Sequence, residues 1–224
     1  MKVGYAVLYK DGTLTISKEH TILQTKIIKD YGEFYDTNIP WKNDYEKIKI
    51  VKILSQVKSN NMSHWFRYCK NLTALIDFQN LDVSDCIDFS CLFCGCYSLI
   101  NISSLQNWTV SNGQDFELMF GYCKLLIDII SLSNWDTSSV EDFSSMFSGC
   151  KSLINISVLS NWNMSNGKDF DWIFGECFKL KEISLPNTLN SLTQDMFEYC
   201  NLNLKIHWKN KIYTYEDLIL YNEF

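Results

Sequence analysis

Hydrophobic and polar positions recur along this chain with a fixed step of 27 residues. The segment 134–153, NWDTSSVEDFSSMFSGCKSL, has close copies that begin at positions 80, 107 and 161. One phenylalanine and one cysteine keep this step, namely Phe66, Phe93, Phe120, Phe147 and Phe174, with Cys69, Cys96, Cys123, Cys150 and Cys177. A period of this size is typical of stacked repeats, in which each unit buries its apolar side against its neighbours.

Each unit predicts one short helix followed by one short strand. In DFSSMFSGC, Phe143, Met146 and Phe147 have the i, i+3, i+4 spacing of a buried helical face. Asp142 stands where an N-cap belongs, and Gly149 stands where a helix would end. The next letters, SLINIS, alternate, which favours a strand that pairs with its copies in a parallel sheet. The predicted strand centres are Leu72, Leu99, Leu126, Leu153 and Leu180.

Polar and aromatic residues also occupy fixed phases of the unit. We expect the asparagine and serine rows to form hydrogen-bond ladders between units, because buried backbone groups need partners. These rows are Asn80, Asn107, Asn134 and Asn161, and Ser84, Ser111, Ser138 and Ser165. Large aromatic side chains dominate cores, so the row of Trp108, Trp135 and Trp162 is expected to be buried.

Both ends of the chain predict hairpins. GYAVLYKDGTLTIS alternates on both sides of Asp11-Gly12, a strong hairpin signal. LKIHWKNKIYTYEDLILY predicts a second hairpin that turns near Lys209-Asn210 and is followed by a short helix. Stacked repeats need capped ends for solubility. We therefore divide the chain into an N-terminal cap, a repeat region and a C-terminal cap, at residues 1–47, 48–200 and 201–224.

The repeat resembles the BspA-type leucine-rich repeat family over about residues 48–200. The pattern W-(D/N)-x-S…D-F-x-x-M-F-x-G-C-x-x-L is similar to the lipoprotein-type variant of that family. The last unit, from Cys177 to Cys200, steps by 23 residues and resembles the Treponema-type repeat. This resemblance implies an α/β repeat fold, a right-handed solenoid with short parallel strands and short helices, capped by hairpin modules. It also implies protein-binding roles, often at a cell surface.

Charge is unevenly distributed and narrows the possible partners. The net charge is −6, and residues 66–200 hold 16 acidic but only 7 basic side chains. Such a surface repels phosphate backbones, so direct nucleic-acid binding is not expected, and it favours a protein partner with a basic surface. The N-terminal sequence has no apolar run of signal-peptide length, and no stretch is long and apolar enough for a membrane span. We therefore expect a cytoplasmic monomer.

Nine cysteines raise the question of metal or disulfide chemistry. Those in the repeat phase are expected to be small buried thiols in a reducing compartment. Cys86, Cys91, Cys94 and Cys96 form C-x4-C-x2-C-x-C, which could hold zinc, although unliganded thiols are the favoured interpretation. His20, His64 and His207 show no catalytic spacing, and we expect neither an enzyme nor a cofactor.

Two side-chain rows compete as the binding face. Ile100, Ile127 and Ile154 would form an exposed apolar stripe if they pointed outward, but we expect them to pack inside. The docking charges would then be Asp115, Glu117, Asp128, Asp142, Asp169, Asp171 and Glu176. These features predict a non-enzymatic intracellular binder or inhibitor of a larger basic protein, for example a phage-type anti-defence (anti-CRISPR) inhibitor. The alternative is a bacterial cell-surface adhesin of the BspA-like type.

Overall fold

The computed structural model describes residues 1–24 and 26–221. This part contains ten strands and one α-helix, which are β1 (Lys2–Tyr9), β2 (Thr13–Ser17), β3 (Ile27–Tyr35), β4 (Ile50–Ile53), β5 (Val57–Lys58), β6 (Ala74–Ile76), β7 (Leu81–Asp82), β8 (Glu182–Ser184), β9 (Lys205–Trp208), β10 (Lys211–Thr214) and α1 (Tyr215–Tyr221). The last positions of the predicted C-terminal cap, 222–224, lie outside the described residues.

The N-terminal hairpin is present as predicted. Strands β1 and β2 pair antiparallel around Asp11-Gly12, where the Asp11 carboxylate accepts the Thr13 N–H at 2.9 Å and Gly12 has φ +92°. Strand β3 pairs with the other edge of β1. Strand β2 also pairs in parallel with β4, and β4 with β6, so one five-stranded sheet has the order β3-β1-β2-β4-β6. The hairpin is thereby joined directly to the first repeat units.

The predicted right-handed α/β solenoid is wrong as a fold class. The strands form three small separate sheets, and the one α-helix in the described part, α1, lies at the C-terminal end. Strands occur near Leu72 and Leu180, as β6 and β8, but none is formed around Leu99, Leu126 or Leu153. The continuous parallel sheet that the alternating SLINIS segments suggested is therefore absent from the described residues.

The predicted repeat helices are absent because their backbone N–H groups donate to carbonyls other than those four residues back. Leu118 and Phe120 each donate to a carbonyl 26 residues later, at 3.0 Å, while the intervening Met119 donates to the carbonyl three residues back. In an α-helix every one of these groups would bond four residues back. The apolar spacing of DFSSMF-type segments thus belongs to a run of tight turns whose alternate amides bind the next unit.

Left-handed backbone conformations also exclude a helix. Leu118 and Tyr122 have φ of 52° and 60°, where an L-residue cannot continue a right-handed helix. The same conformation recurs at both phases in other units, at His64, Tyr68, Cys91, Gly95, Ser145, Gly149, Trp172, Glu176 and Tyr199. These segments are therefore repeated turns with a fixed geometry.

Buried aromatic rings form one stack through the repeat units. Phe120 is fully buried between Phe93 and Phe147, with ring centroids 5.7 Å away on each side. The repeat-phase cysteines lie beside this stack, and the Cys150 Sγ–H donates to the Phe120 carbonyl at 3.2 Å. Burial raises the pKa of the Cys150 thiol to about 12. The predicted burial of the phenylalanine and cysteine rows is confirmed.

The tryptophan row is also buried, as predicted. Trp108 and Trp135 stack with ring centroids 6.4 Å apart, and the Trp135 indole N–H donates to the Leu105 carbonyl at 3.3 Å. Asn80 belongs to the predicted asparagine ladder, and its side-chain amide donates to the Ile53 carbonyl one unit earlier, at 3.1 Å. Asn112, from a different phase, makes the same kind of bond at 2.8 Å, so cross-unit amide bonds use more than one row.

The C-terminal hairpin and helix are present as predicted. Strand β9 pairs antiparallel with β10 and in parallel with β8, which forms the three-stranded sheet. Lys209 and Asn210 both have positive φ, which is the geometry of a two-residue hairpin turn. Helix α1 begins where Thr214 and Asp217 exchange hydrogen bonds, an N-terminal capping arrangement.

Candidate protein-interaction surface

Four aspartates from successive units line up beside one another. Asp88, Asp115, Asp142 and Asp169 are linked by parallel one-residue bridges, and neighbouring strands lie about 4.8 Å apart. Each carboxylate accepts the backbone N–H of the residue two positions later, at 2.8 to 2.9 Å. This bond closes a local turn, so the sequence places aspartate here for a structural reason as well as for its charge.

We name these four aspartates, together with Glu117 and Asp171, the acidic column. Glu117 and Asp171 follow column aspartates by two residues and are exposed. Among residues 1–24 and 26–221, no lysine, arginine or histidine forms an ion pair with any of the six carboxylates. Like charges stacked without counter-charges raise the electrostatic free energy of the free protein.

The electrostatic consequence is visible at Asp115 and Asp171. Partial burial raises the pKa of Asp115, and the neighbouring charges of Asp88 and Asp142 raise it further. The hydrogen bond from the Glu117 N–H lowers the pKa but does not cancel these effects. The pKa of Asp171 is also raised, because nearby protein atoms partly desolvate its exposed carboxylate and the carboxylates of Asp169 and Asp195 add repulsion. Both groups therefore ionise less readily than an isolated aspartate.

The structure separates the seven acidic residues predicted for docking. Five of them belong to the acidic column: Asp115, Glu117, Asp142, Asp169 and Asp171. Asp128 lies at a different phase of the unit, where its backbone forms a parallel bridge with that of Asn155. Glu176 is already ion-paired with Lys151, at 3.1 Å. Asp88 belongs to the column but was not among the predicted docking residues, although its place in the 27-residue aspartate row was a usable signal.

The isoleucine row points outward, so the expectation that it packs inside is wrong. Ile100, Ile127 and Ile154 are 49%, 42% and 55% exposed. The bridge between Asp128 and Asn155 fixes the register of this edge, and side chains of neighbouring residues alternate between faces. The three side chains form an exposed apolar row, which we name the isoleucine stripe.

The four cysteines of the proposed zinc motif have separate surroundings. Cys86 donates to the Asp88 carbonyl at 3.3 Å, and Cys96 donates to the Phe66 carbonyl at 3.1 Å. The thiols of Cys91 and Cys94 neighbour each other, and this raises the pKa of Cys91 and lowers the pKa of Cys94. Within residues 1–24 and 26–221, no group of three or more histidine, cysteine, aspartate or glutamate side chains is arranged to hold a metal ion.

The three histidines lie in separate surroundings. His20 pairs with Asp30 and His207 pairs with Glu182, each at 2.6 Å near the surface. His64 lies in the repeat region, where burial and the nearby Arg67 lower its pKa. In the described part of the chain, no helix combines the length and apolar character needed to cross a membrane.

Comparisons with known proteins place the repeat region in a family. A family model described as "Mycoplasma protein of unknown function, DUF285" matches residues 43–131 and 101–210. The comparison with curated proteins gives no match. The chain is similar to a solved leucine-rich repeat protein from Bacteroides ovatus, with 17% identity and a TM-score of 0.44 over 92% of this chain and 51% of that one.

The chain therefore spans about half the length of the Bacteroides protein, and this TM-score is too low to establish a shared fold. The family match covers the repeat region that carries the leucine-rich-repeat resemblance seen in the sequence. The lipoprotein-type and Treponema-type assignments of individual repeats stay predictions, as does the division into caps and repeat region.

Proposed function

Because the chain belongs to the DUF285 family, whose function is unknown, we propose a function from its own surface: it is a non-enzymatic protein-interaction module. Its acidic column docks a basic surface of another protein. The observation that carries this proposal is the row of stacked carboxylates without counter-charges, from Asp88 to Asp169.

Charge complementarity supports a cationic partner. The ionised forms of Asp115 and Asp171 are disfavoured in the free protein by partial desolvation and by neighbouring carboxylates. A lysine or arginine brought to the column would supply the missing counter-charge and relieve the repulsion. Complementary potentials of this kind mainly accelerate association and select the partner. The isoleucine stripe offers apolar contact, but it has no comparable preference for the chemistry of a partner.

Within this proposal, the finer hypothesis is an intracellular binder or inhibitor of a larger protein with a basic surface. Enzymes that handle nucleic acids carry such surfaces, and anti-defence inhibitors of the anti-CRISPR kind would exploit them. Nine free, buried thiols support a reducing, cytoplasmic location. A cell-surface adhesin is the alternative, and fractionation of the producing cells distinguishes the two locations.

The test begins with affinity capture on the immobilised full chain from cells that make it. Each captured protein is identified by mass spectrometry, purified and titrated against the chain at low and high salt. We expect affinity to fall with salt, because exposed charges are screened beyond about 8 Å at physiological ionic strength. The triple variant Asp115→Asn, Glu117→Gln, Asp171→Asn should slow association.

A matched control removes the same number of negative charges elsewhere. Glu46, Asp85 and Glu182 are exposed and already paired with Lys70, Lys58 and His207. Replacing these three with their amides should leave association nearly unchanged. Binding that ignores salt and the column variant, but is lost in Ile127→Ser, would reject the acidic column and assign docking to the isoleucine stripe.

A further inference from the structure

Two neighbouring cysteines, Cys91 and Cys94, have thiol surroundings unlike those of most of the other cysteines. The later repeat-phase cysteines donate to a phenylalanine carbonyl of the preceding unit, at 3.1 to 3.3 Å: Cys96, Cys123, Cys150, Cys177 and Cys200. Cys86 donates to the Asp88 carbonyl. The thiols of Cys91 and Cys94 instead lie close enough to influence each other's pKa. Among residues 1–24 and 26–221, neither of these two sulfurs donates to a backbone carbonyl, and the same holds for Cys69.

The backbone brings the two residues within disulfide range. The Cys94 N–H donates to the Cys91 carbonyl at 3.1 Å, which closes a four-residue turn. The Cα atoms at the ends of such a turn lie within about 7 Å, and disulfides span Cα distances of about 4.4–6.8 Å. The pair can therefore be bridged without opening the turn.

The repeat itself does not require this pair. The next unit has Leu118 and Gly121 at the same phases, 27 residues later, and it forms the same turn. The preceding unit has His64 and Arg67 there. Cysteine at both phases is thus an addition to the scaffold, and the stacking places a cationic side chain in the adjacent unit.

Arg67 gives the pair an electropositive setting. Its Nε is buried and has no hydrogen-bond partner among the described residues, as is also true of the His64 Nδ1. The hydrogen bond from the Cys91 thiol lowers the pKa of Cys94, and the charge of Arg67 lowers it further. The same hydrogen bond raises the pKa of Cys91. A neighbouring cation is the usual setting of a reactive cysteine.

We propose that Cys91 and Cys94 form a reversible redox site that reacts with low-molecular-weight disulfides. The Cys94 thiolate attacks one sulfur of the reagent, forms a mixed disulfide and releases one thiol. The Cys91 sulfur then attacks the Cys94 sulfur, forms the Cys91–Cys94 disulfide and releases the second thiol. The two electrons pass to the reagent disulfide, and the two protein protons leave with the released thiols.

This redox site goes beyond the proposed docking function and is independent of it. Cys91 is 4% and Cys94 is 2% exposed, whereas Cys96 and Cys123 are fully buried and Cys200 is 8% exposed. What distinguishes this pair from Cys200 is the nearby second thiol and the positive charge of Arg67, so the cysteine that reacts has to be mapped.

The test treats the folded full chain with oxidised glutathione and maps its cysteines by mass spectrometry. We expect the loss of two hydrogen atoms per chain, one disulfide between Cys91 and Cys94, and its complete reversal by dithiothreitol. If both cysteines stay as free thiols, or if a disulfide appears only in denaturant or between other cysteines, the proposal is overturned.

Variants assign the roles within the pair. In Cys91→Ser, the mixed glutathione disulfide at Cys94 should accumulate, whereas the control Cys86→Ser should still form the internal disulfide. Arg67→Gln should slow oxidation several-fold, and Arg67→Lys should retain most of the rate. Equal rates for these two Arg67 variants would reject the activating role of that side chain.

Discussion

At the residue scale, Asp115 combines a structural bond with an unfavourable charge. Its carboxylate accepts the Glu117 N–H at 2.9 Å and thereby holds the turn. Burial and the neighbouring aspartates raise its pKa. Asn61 starts the same row and accepts the Ser63 N–H through its amide oxygen, also at 2.9 Å. An amide can therefore hold this turn without the charge.

The variant Asp115→Asn should accordingly be more stable than the parent chain at neutral pH. Because the folded pKa is raised, the folded state holds its proton to a higher pH than the unfolded chain does. Stability is then lost as pH rises from the ordinary aspartate pKa through the raised one. Thermal unfolding should be measured at pH values from the ordinary aspartate pKa to neutral pH. The variant should have the higher Tm at neutral pH, and its Tm should fall less than that of the parent chain as the pH rises.

The control for this prediction is Asp136→Asn. Hydrogen bonds from Ser138 lower the pKa of Asp136, so its ionised form contributes stability that is present at neutral pH and lost as pH falls. This substitution should lower the Tm at neutral pH. Equal effects of the two substitutions would contradict the electrostatic difference between the two sites.

Phe120 tests the aromatic stack at the same scale. The substitution Phe120→Ala should lower the free energy of unfolding by about 3–5 kcal/mol, because it leaves a cavity between two stacked rings. Ile127→Ala, on the exposed stripe, should change it by less than about 0.5 kcal/mol. Denaturant unfolding compares the two, and similar losses would show that Phe120 is no core residue.

At the scale of elements, the sequence predicted burial and hairpins better than it predicted helices. The Asp11-Gly12 turn and the buried rows follow from local turn chemistry and from the 27-residue period. The helices failed because Phe143, Met146 and Phe147 have the same spacing in a helix and in these turns. Leucine and tyrosine rarely adopt a positive φ, so the residue type gave no reason to predict this conformation for Leu118.

Gly149 tests the turn geometry directly. It has φ +71°, and a Cβ built on it would lie 2.5 Å from Cδ1 of the Tyr122 ring one unit earlier. Gly149→Ala should therefore cost more than the roughly 1–2 kcal/mol of a left-handed alanine. Gly32 has φ +65° and no atom within 4 Å of a Cβ built on it. Gly32→Ala should therefore lower the free energy of unfolding only by the amount due to the left-handed backbone.

A double variant separates the two contributions at Gly149. Tyr122→Ala removes the ring that the new methyl group meets, so adding Gly149→Ala to it should cost about as much as Gly32→Ala does. Unfolding free energies of the single and double variants give this comparison. A full additive loss in the double variant would show that the ring and the methyl group do not collide.

At the scale of the whole molecule, the acidic column holds six of the 16 acidic side chains in residues 66–200. The sequence showed an excess of acids in residues 66–200, and five of the seven chosen residues lie in the acidic column. The direction of the isoleucine stripe was not predictable, because a shift of one residue in register exchanges the two faces of an extended segment. Ion pairing was not predictable either, since the Lys151–Glu176 pair depends on how neighbouring units stack.

The central claim is that the acidic column carries uncompensated charge, and an NMR titration of its carboxyl groups tests this most directly. The Asp115 carboxyl carbon should titrate above the ordinary aspartate pKa, and Asp136 should titrate below it in the same sample. Added salt should lower the pKa of Asp115, because it screens the repulsion from neighbouring carboxylates. If added salt leaves the pKa of Asp115 unchanged, or if Asp115 titrates at or below the pKa of Asp136, repulsion within the column is absent and the central claim is contradicted.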